Sequence, residues 1–303
     1  MDARGRTVLS EAANLKGSLF MVAAMAAFAV EDMLLKHASA SLPVGQVMVI
    51  FGLGGMAAFA ALARARGEGF GLRIGLTRTM AVRSGFELFG RLFYTLAIAL
   101  TPLSSASVIL QATPLVVMAG AALFLGEAVG WRRWLAVGVG FAGVMMVLRP
   151  GLEGFSVLSL LAVAGMIGFA GRDLATRAAP PAMGNFQLGL WGFAMVTIAG
   201  AGLLAASGGA VMPSAATALV LACATLFGVS AYWALTVAMR TGEVGVVTPF
   251  RYTRLVFGVT LGALVFGEQL DAPTLAGSAL IVGSGLYTLW RARRLRAAAA
   301  RQT

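Results

Sequence analysis

The sequence predicts an all-α integral membrane protein in which ten transmembrane helices form two inverted five-helix repeats around a central cavity. Three observations lead there. Of 303 residues, 59% are hydrophobic and only 12% charged, with a mean hydropathy of +0.87, too apolar for a water-soluble domain. Ten oily runs approach the ~20 residues that one crossing needs, which leaves no room for a soluble domain. The chain also resembles itself at an offset of 141 residues: Phe124-Leu125-Gly126-Glu127 ahead of span five matches Val265-Phe266-Gly267-Glu268 ahead of span ten.

The first run, 17–37, follows Arg4, Arg6 and Lys16 and precedes Ala38-Ser39-Ala40, an arrangement shared with secretory signals. Glu31, Asp32 and Lys36 lie before that small-residue site, and the oily helix continues through them, so the run is a span. The others fall at 43–63, 81–100, 103–124, 130–148, 154–172, 185–206, 214–238, 245–266 and 272–290. Turn chemistry marks their ends at Leu42-Pro43, Thr101-Pro102, Arg149-Pro150-Gly151, Pro180-Pro181, Ser207-Gly208-Gly209 and Asp271-Ala272-Pro273. Residues 1–150 thus hold spans one to five, and 151–303 hold spans six to ten with a basic tail. Five is odd, so the second half enters the membrane upside down relative to the first. Such repeats place a substrate site near the midplane between halves. Gly138 and Ala142 in span five and Ala279 and Gly283 in span ten sit at matching depths, where close helix packing calls for small residues.

The net charge of +11 would suggest nucleic acid in a soluble protein, but the basic residues lie in short segments between apolar runs. With the amino terminus inside, 18 of the 23 Lys and Arg fall on that side, including Arg64, Arg83, Arg132, Arg133, Arg172 and Arg291. Lys36 and Arg149 face the other side, and Arg91, Arg251 and Arg254 lie within spans. Both termini are therefore expected in the cytoplasm. The run at Arg291, Arg293, Arg294 and Arg296 suits anionic lipid. Cys223 is the single cysteine and His37 the single histidine, so neither a disulfide framework nor a metal site is expected, and no cofactor.

Ionised side chains in a span cost about 2.5–3.5 kcal/mol each on insertion scales, so they face partners or water. Glu31 and Asp32 sit late in span one, Glu87 and Arg91 in span three, Arg251 and Arg254 early in span nine. Glu87, Arg91 and Tyr94, spaced i, i+4, i+7, share one helix face, which Arg83 extends. Arg91 and Arg254 reach similar depth, and two guanidinium groups at one level suit a carboxylate. The alternative is structural: Glu87 pairs with Arg91 inside its own helix and joins spans three and nine, while Arg251 snorkels to the interface. Gln111 precedes Pro114, whose missing N–H frees a carbonyl near the midplane, either to bend span four or to offer a backbone group to substrate. Tyr94, Trp191, Tyr232, Trp233, Phe250 and Tyr252 are candidates for an apolar wall. Tyr232 and Trp233 are adjacent and point to different sides of span eight, so at most one lines a cavity. Trp131, Trp134 and Trp290 sit at span ends as interfacial belt residues.

Several stretches resemble a known family. Thr101-Pro102-Leu103, Gln111-Ala112-Thr113-Pro114-Leu115, Leu125-Gly126-Glu127 and Gly140-Phe141-Ala142-Gly143-Val144 are similar to the first half of an EamA-type permease of the drug/metabolite transporter superfamily. Pro249-Phe250-Arg251-Tyr252, Phe266-Gly267-Glu268 and the stretch from Gly277 to Gly285 resemble its closing repeat. The resemblance covers nearly the whole chain and implies alternating access in a bacterial inner membrane. Within the family the chain looks most like bacterial exporters of amino acids, aromatic ones included.

The resulting expectation is a secondary transporter exporting amino acids, with a hydrated vestibule ringed by the intramembrane charges. Arg91 or Arg254 would hold the substrate carboxylate, Glu87 or the Glu31/Asp32 pair its ammonium group, and Glu31, Asp32 or Glu87 would carry a coupling proton. Tyr94, Gln111, Trp191, Tyr232, Trp233 and Tyr252 complete the expected substrate set. The alternative is a permease of the same superfamily for another small organic metabolite or cation. A channel would use a ring of like residues, and an intramembrane enzyme lacks a nucleophile-and-base constellation. A monomer suffices, although small residues in spans five and ten would equally serve a homodimer.

Overall fold

The computed structural model describes residues 3–124, 126, 130–149, 156–178, 184–241 and 244–299. Among them there is no strand. In lipid every backbone N–H and C=O must find a partner within the protein, which a helix provides along its own length. The helices are α1 (Ala3–Ala38), α2 (Val44–Ala65), the short α3 (Leu72–Gly75), α4 (Arg78–Leu100), α5 (Leu103–Leu110), α6 (Thr113–Phe124) and α7 (Trp131–Leu148). There follow α8 (Ser159–Ala178), α9 (Asn185–Ser207), α10 (Ala215–Thr241), α11 (Val244–Val247), a 3-10 turn (Thr248–Tyr252), α12 (Thr253–Phe266) and α13 (Ala272–Ala299).

Span four is thus α5 plus α6, and span nine is α11, the 3-10 turn and α12, giving the ten expected rods. Seven stretches are long and apolar enough to cross a membrane: α1, α2, the α5–α6 stretch, α7, α9, α10 and α13. The other three rods, α4, α8 and the interrupted α11–α12, carry the ionised residues Glu87, Arg172 and Arg254 among others. Ionised residues set α4 and α8 apart, and the 3-10 interruption leaves α12 only 14 residues long.

Packing follows a symmetric scheme. The principal pairs are α1 with α10, α2 with α9, α4 with α8 and α7 with α13, followed by α1 with α12, α4 with α9 and α5 with α12. Numbered by span, exchanging n for n+5 turns the pair 1/8 into 6/3 and returns 2/7, 4/9 and 5/10 to themselves. Small residues set the closest approaches. A Cβ on Gly168 of α8 would lie 2.4 Å from Gly90 Cα of α4, and one on Gly143 of α7 would lie 2.7 Å from the Gly277 carbonyl of α13. The small-residue expectation for spans five and ten needs correction in its register: Gly138 and Gly283 have open space where a Cβ would go, while Gly140, Gly143 and Gly277 make the contact.

Both interrupted spans break where proline removes an amide. Pro114 leaves the Leu110 carbonyl without its helical donor, and the Thr113 hydroxyl donates to it at 2.5 Å. The freed carbonyl is therefore taken locally, and the break bends the helix. Gln111 Nε2 donates to the Arg251 carbonyl at 3.2 Å, which ties the break in span four to the one in span nine.

At the membrane end opposite the termini, four helix ends meet. Gly267 adopts the left-handed conformation (φ 64°) that stops α12 and turns the chain back, and the Glu268 N–H donates to the Gly262 carbonyl. The Glu268 carboxylate then accepts the Leu103 and Ser104 N–H groups at 2.6 and 2.8 Å, capping α5, whose N-cap Pro102 brings no side-chain acceptor. Lys36 Nζ donates to the Thr101 and Ile98 carbonyls at the end of α4 and lies 3.9 Å from Glu268. Glu127, the first-half counterpart of Glu268, lies outside the described residues. So do the expected turns at Pro150-Gly151 and Pro180-Pro181 and the side chains of Arg4, Arg6, Arg293 and Arg296.

Candidate functional site

The intramembrane charges of α1, α4, α8 and α12 converge on one interior cluster. Helix packing sets its geometry. The contact at Gly90 and Gly168 brings antiparallel α4 and α8 together, and a few residues along the same seam Glu87 meets Arg172 at 3.2 Å. Arg83 and Arg91, one turn to either side on α4, approach the same carboxylate at 3.6 and 3.7 Å. Arg91 also reaches across to Glu31 of α1 at 3.2 Å. Next to Glu31, Asp32 accepts from Arg254 of α12 at 2.6 Å and from the Tyr94 hydroxyl at 3.1 Å. Arg172 turns its other edge to Asp173 at 2.8 Å. Aromatic faces separate the guanidinium groups: Phe169 lies under both Arg91 and Arg172, and Phe28 and Tyr94 under Arg254.

The result is an alternating network of carboxylates and guanidinium groups spanning four helices. Its carboxylates are almost sealed, with Glu31, Asp32 and Glu87 exposed by 1, 2 and 3%. The guanidinium-bearing side chains keep more access, 15% for Arg91 and Arg254 and 20% for Arg172. These groups therefore face one another rather than the hydrated vestibule expected around them, which corrects that expectation: paired charges satisfy each other without water. Glu31 Oε2 is buried without a hydrogen-bond partner, beside Gly228 of α10, where a Cβ would stand 3.2 Å away.

The aromatic and amide candidates divide. Tyr94 belongs to the cluster. Tyr232 packs edge-on to Phe59 within electrostatic reach of Arg83, Glu87 and Arg172. Its neighbour Trp233 turns to the outer surface, 44% exposed, against Phe20. Trp191 donates from Nε1 to the Phe70 carbonyl and pins the segment before α4. Tyr252 packs against Gly285 of α13, beside Arg251 and outside the ion-paired cluster. Gln111 is spent on the Arg251 carbonyl. Arg251 neither pairs with a carboxylate within 4.0 Å among the described residues nor joins Arg254; it lies within electrostatic reach of Asp173.

Two participants were missed from sequence. Arg172 and Asp173 stand at the edge of a run, where a charge reads as a loop residue, and Arg83 was counted with the inner loop for the same reason. The available signal was the glycine at 168, one turn before Arg172, facing a glycine one turn from Glu87.

A buried charge network across several long apolar helices, with no strand among the described residues, fits a multi-pass membrane protein. The comparisons say which kind. The model of the EamA-like transporter family matches residues 15–149. A riboflavin transporter of Rhizobium johnstonii is 30% identical over 214 residues, 71% of this chain and 69% of that protein. An S-adenosylmethionine uptake transporter of Rickettsia bellii is 25% identical over 206 residues, 68% of this chain and 70% of its own. The pseudopaline exporter CntI of Pseudomonas aeruginosa is 28% identical over 269 residues, 88% and 93% of the two chains. One crystallographically solved protein shares the fold with a TM-score of 0.65 at 20% identity, covering 94% of this chain and 99% of its own. The chain belongs to the EamA-like transporters of the drug/metabolite transporter superfamily.

Proposed function

We propose that this protein is a permease for a small organic metabolite other than an amino acid, working by alternating access in a bacterial inner membrane with both termini in the cytoplasm. The substrate expected from sequence is replaced by its alternative because the relatives are named for riboflavin, S-adenosylmethionine and pseudopaline. Those names include both uptake and export.

The observation that carries the reading is the network itself. Arg91 and Arg254 each pair with a carboxylate and keep 15% of the side chain accessible. An incoming oxygen-rich substrate group competes with those carboxylates for the guanidinium groups, whose geometry favours bidentate contact. Releasing Glu31 or Asp32 from its arginine then loosens α1 from α4 and α12, which couples binding to helix movement. Tyr94 and Tyr232 stand on the substrate side; Trp191, Trp233 and Tyr252 do not. The coupling proton belongs on Glu31, whose Oε2 lacks a donor, in preference to Asp32, which accepts from Arg254 and Tyr94, and Glu87, which accepts from Arg172 on both oxygens. The symmetric packing supports a division into repeats at 1–150 and 151–303, each contributing to the network.

Counterflow in proteoliposomes tests this, with riboflavin, S-adenosylmethionine, opine-type metallophores and a panel of amino acids as exchange partners. Exchange of a metabolite outside the amino-acid panel, abolished by Arg254→Ala and Arg91→Ala in protein that still purifies as a monodisperse species, is the expected result. Exchange of amino acids alone would reinstate the exporter reading. Rates unchanged after the pH gradient is collapsed would remove the proton from Glu31.

A further inference from the structure

We propose that the α7/α13 seam, at the membrane end bearing the chain termini, binds an anionic phospholipid: phosphate among Arg132, Arg133 and Arg291, acyl chain in the apolar hollow beside them. Two adjoining hollows build this site. One, of about 230 Å³, is lined by Gly130, Trp131, Arg132, Arg133 and Arg291. The other, of about 360 Å³, shares Trp131 and Arg132 and continues along Leu135, Val139 and Tyr287. The larger falls within the ~300–1,000 Å³ of ordinary ligand pockets. No carboxylate lines either one among the described residues.

The charge calls for an anion. Arg133 Nε is buried with no hydrogen-bond partner, an unmet donor that a phosphate oxygen would satisfy. The amino end of α7 points the same way, and Gly130 gives its first turn no side-chain cap. Arg294, stacked on Trp290 at 4.5 Å, adds positive charge about one turn beyond Arg291. The adjoining apolar wall selects a lipid over free phosphate. Trp131 is 70% exposed and Leu135 61%, so the chain's own helices leave this face uncovered. The site owes nothing to the interior charge network, and its failure would leave the transport reading intact.

Native mass spectrometry of the purified full chain tests the proposal, titrating phosphatidylglycerol against phosphatidylcholine. Phosphatidylglycerol should be retained preferentially. The triple variant R132Q/R133Q/R291Q should lower its affinity by about a hundredfold, on the order of fivefold per arginine. Val139→Phe, which fills the apolar hollow from a position already open to lipid, should weaken binding without changing the melting temperature. Brominated phosphatidylglycerol should quench Trp131 fluorescence in the unaltered protein, with Trp131→Phe as the reference, which needs no charge variant to fold. Equal retention of the two lipids would overturn the proposal. So would full displacement by inorganic phosphate with no effect of Val139→Phe. A dimer lost on Val139→Phe while lipid binding persisted would assign the face to a second copy instead.

Discussion

Removing the Glu268 carboxylate should unfasten the membrane end opposite the termini. Its two oxygens take the first amides of α5, and its side chain is only 11% exposed, so water is a poor substitute. Each amide left unsatisfied costs about 1–3 kcal/mol, and Glu268→Ala leaves two. We expect a loss of roughly 2–6 kcal/mol, and about half that for Glu268→Gln, whose single amide oxygen still accepts. At roughly 2 °C per kcal/mol for a chain of this size, the alanine variant should melt roughly 4–12 °C lower in detergent. Gly262→Ala supplies an independent test, since its Cβ would stand 2.5 Å from Glu268 Oε2 and push the carboxylate off the amides. Lys36→Ala combined with Glu268→Ala should cost less than the two single changes added, because the pair acts at one junction. Melting temperatures of Glu268→Ala and Gly262→Ala within 1 °C of the unaltered protein would refute the reasoning.

Arg254→Ala leaves Asp32 with the Tyr94 hydroxyl alone and should destabilise by ~3–5 kcal/mol, whereas Asp32→Asn with Arg254→Gln should recover most of that, read as thermal shifts. Gly143→Ala and Gly277→Ala each drive a Cβ within 2.7 Å of the opposing carbonyl and should cost ~1–3 kcal/mol, while Gly138→Ala and Gly283→Ala should be neutral; equal effects at all four would contradict the packing register. At the loop before α13, hydrogen bonds from Thr274 and from Arg149 hold the Asp271 carboxyl down at about 2 from an ordinary 3.8. A depressed carboxylate stabilises the fold above its unfolded value and loses that contribution as pH falls through about 4 to 2. Asp271→Asn should therefore flatten the stability profile in that window and leave its shape at pH 7 unchanged, as a pH series of melting curves would show.

The helical rods were legible because apolar runs of membrane length have few other fates, and the family followed from motifs at the span ends. The interior network was half legible. Glu31, Asp32, Glu87, Arg91 and Arg254 stood out because each is costly within an oily run. Arg172 and Asp173 did not, since a charge near the end of a run reads the same whether it faces water or a partner helix. Side-chain direction was the weaker point. Tyr232 and Trp233 were known to diverge, but only the position of α2 beside α10 decides which faces inward. Gly138 and Gly140 lie two residues apart on α7, and which one meets α13 depends on helix rotation, which composition does not encode. Substrate was not legible at all, because arginine edges accept many oxygen-rich groups.

The fastening of Gln111 to the Arg251 carbonyl has a mechanical consequence. The two interrupted rods are pinned to each other at their weak points, one from each half of the chain. Turning either rod at its kink strains a contact with the other, so a tilt that begins in one half of the chain is felt by its counterpart across the centre of the molecule.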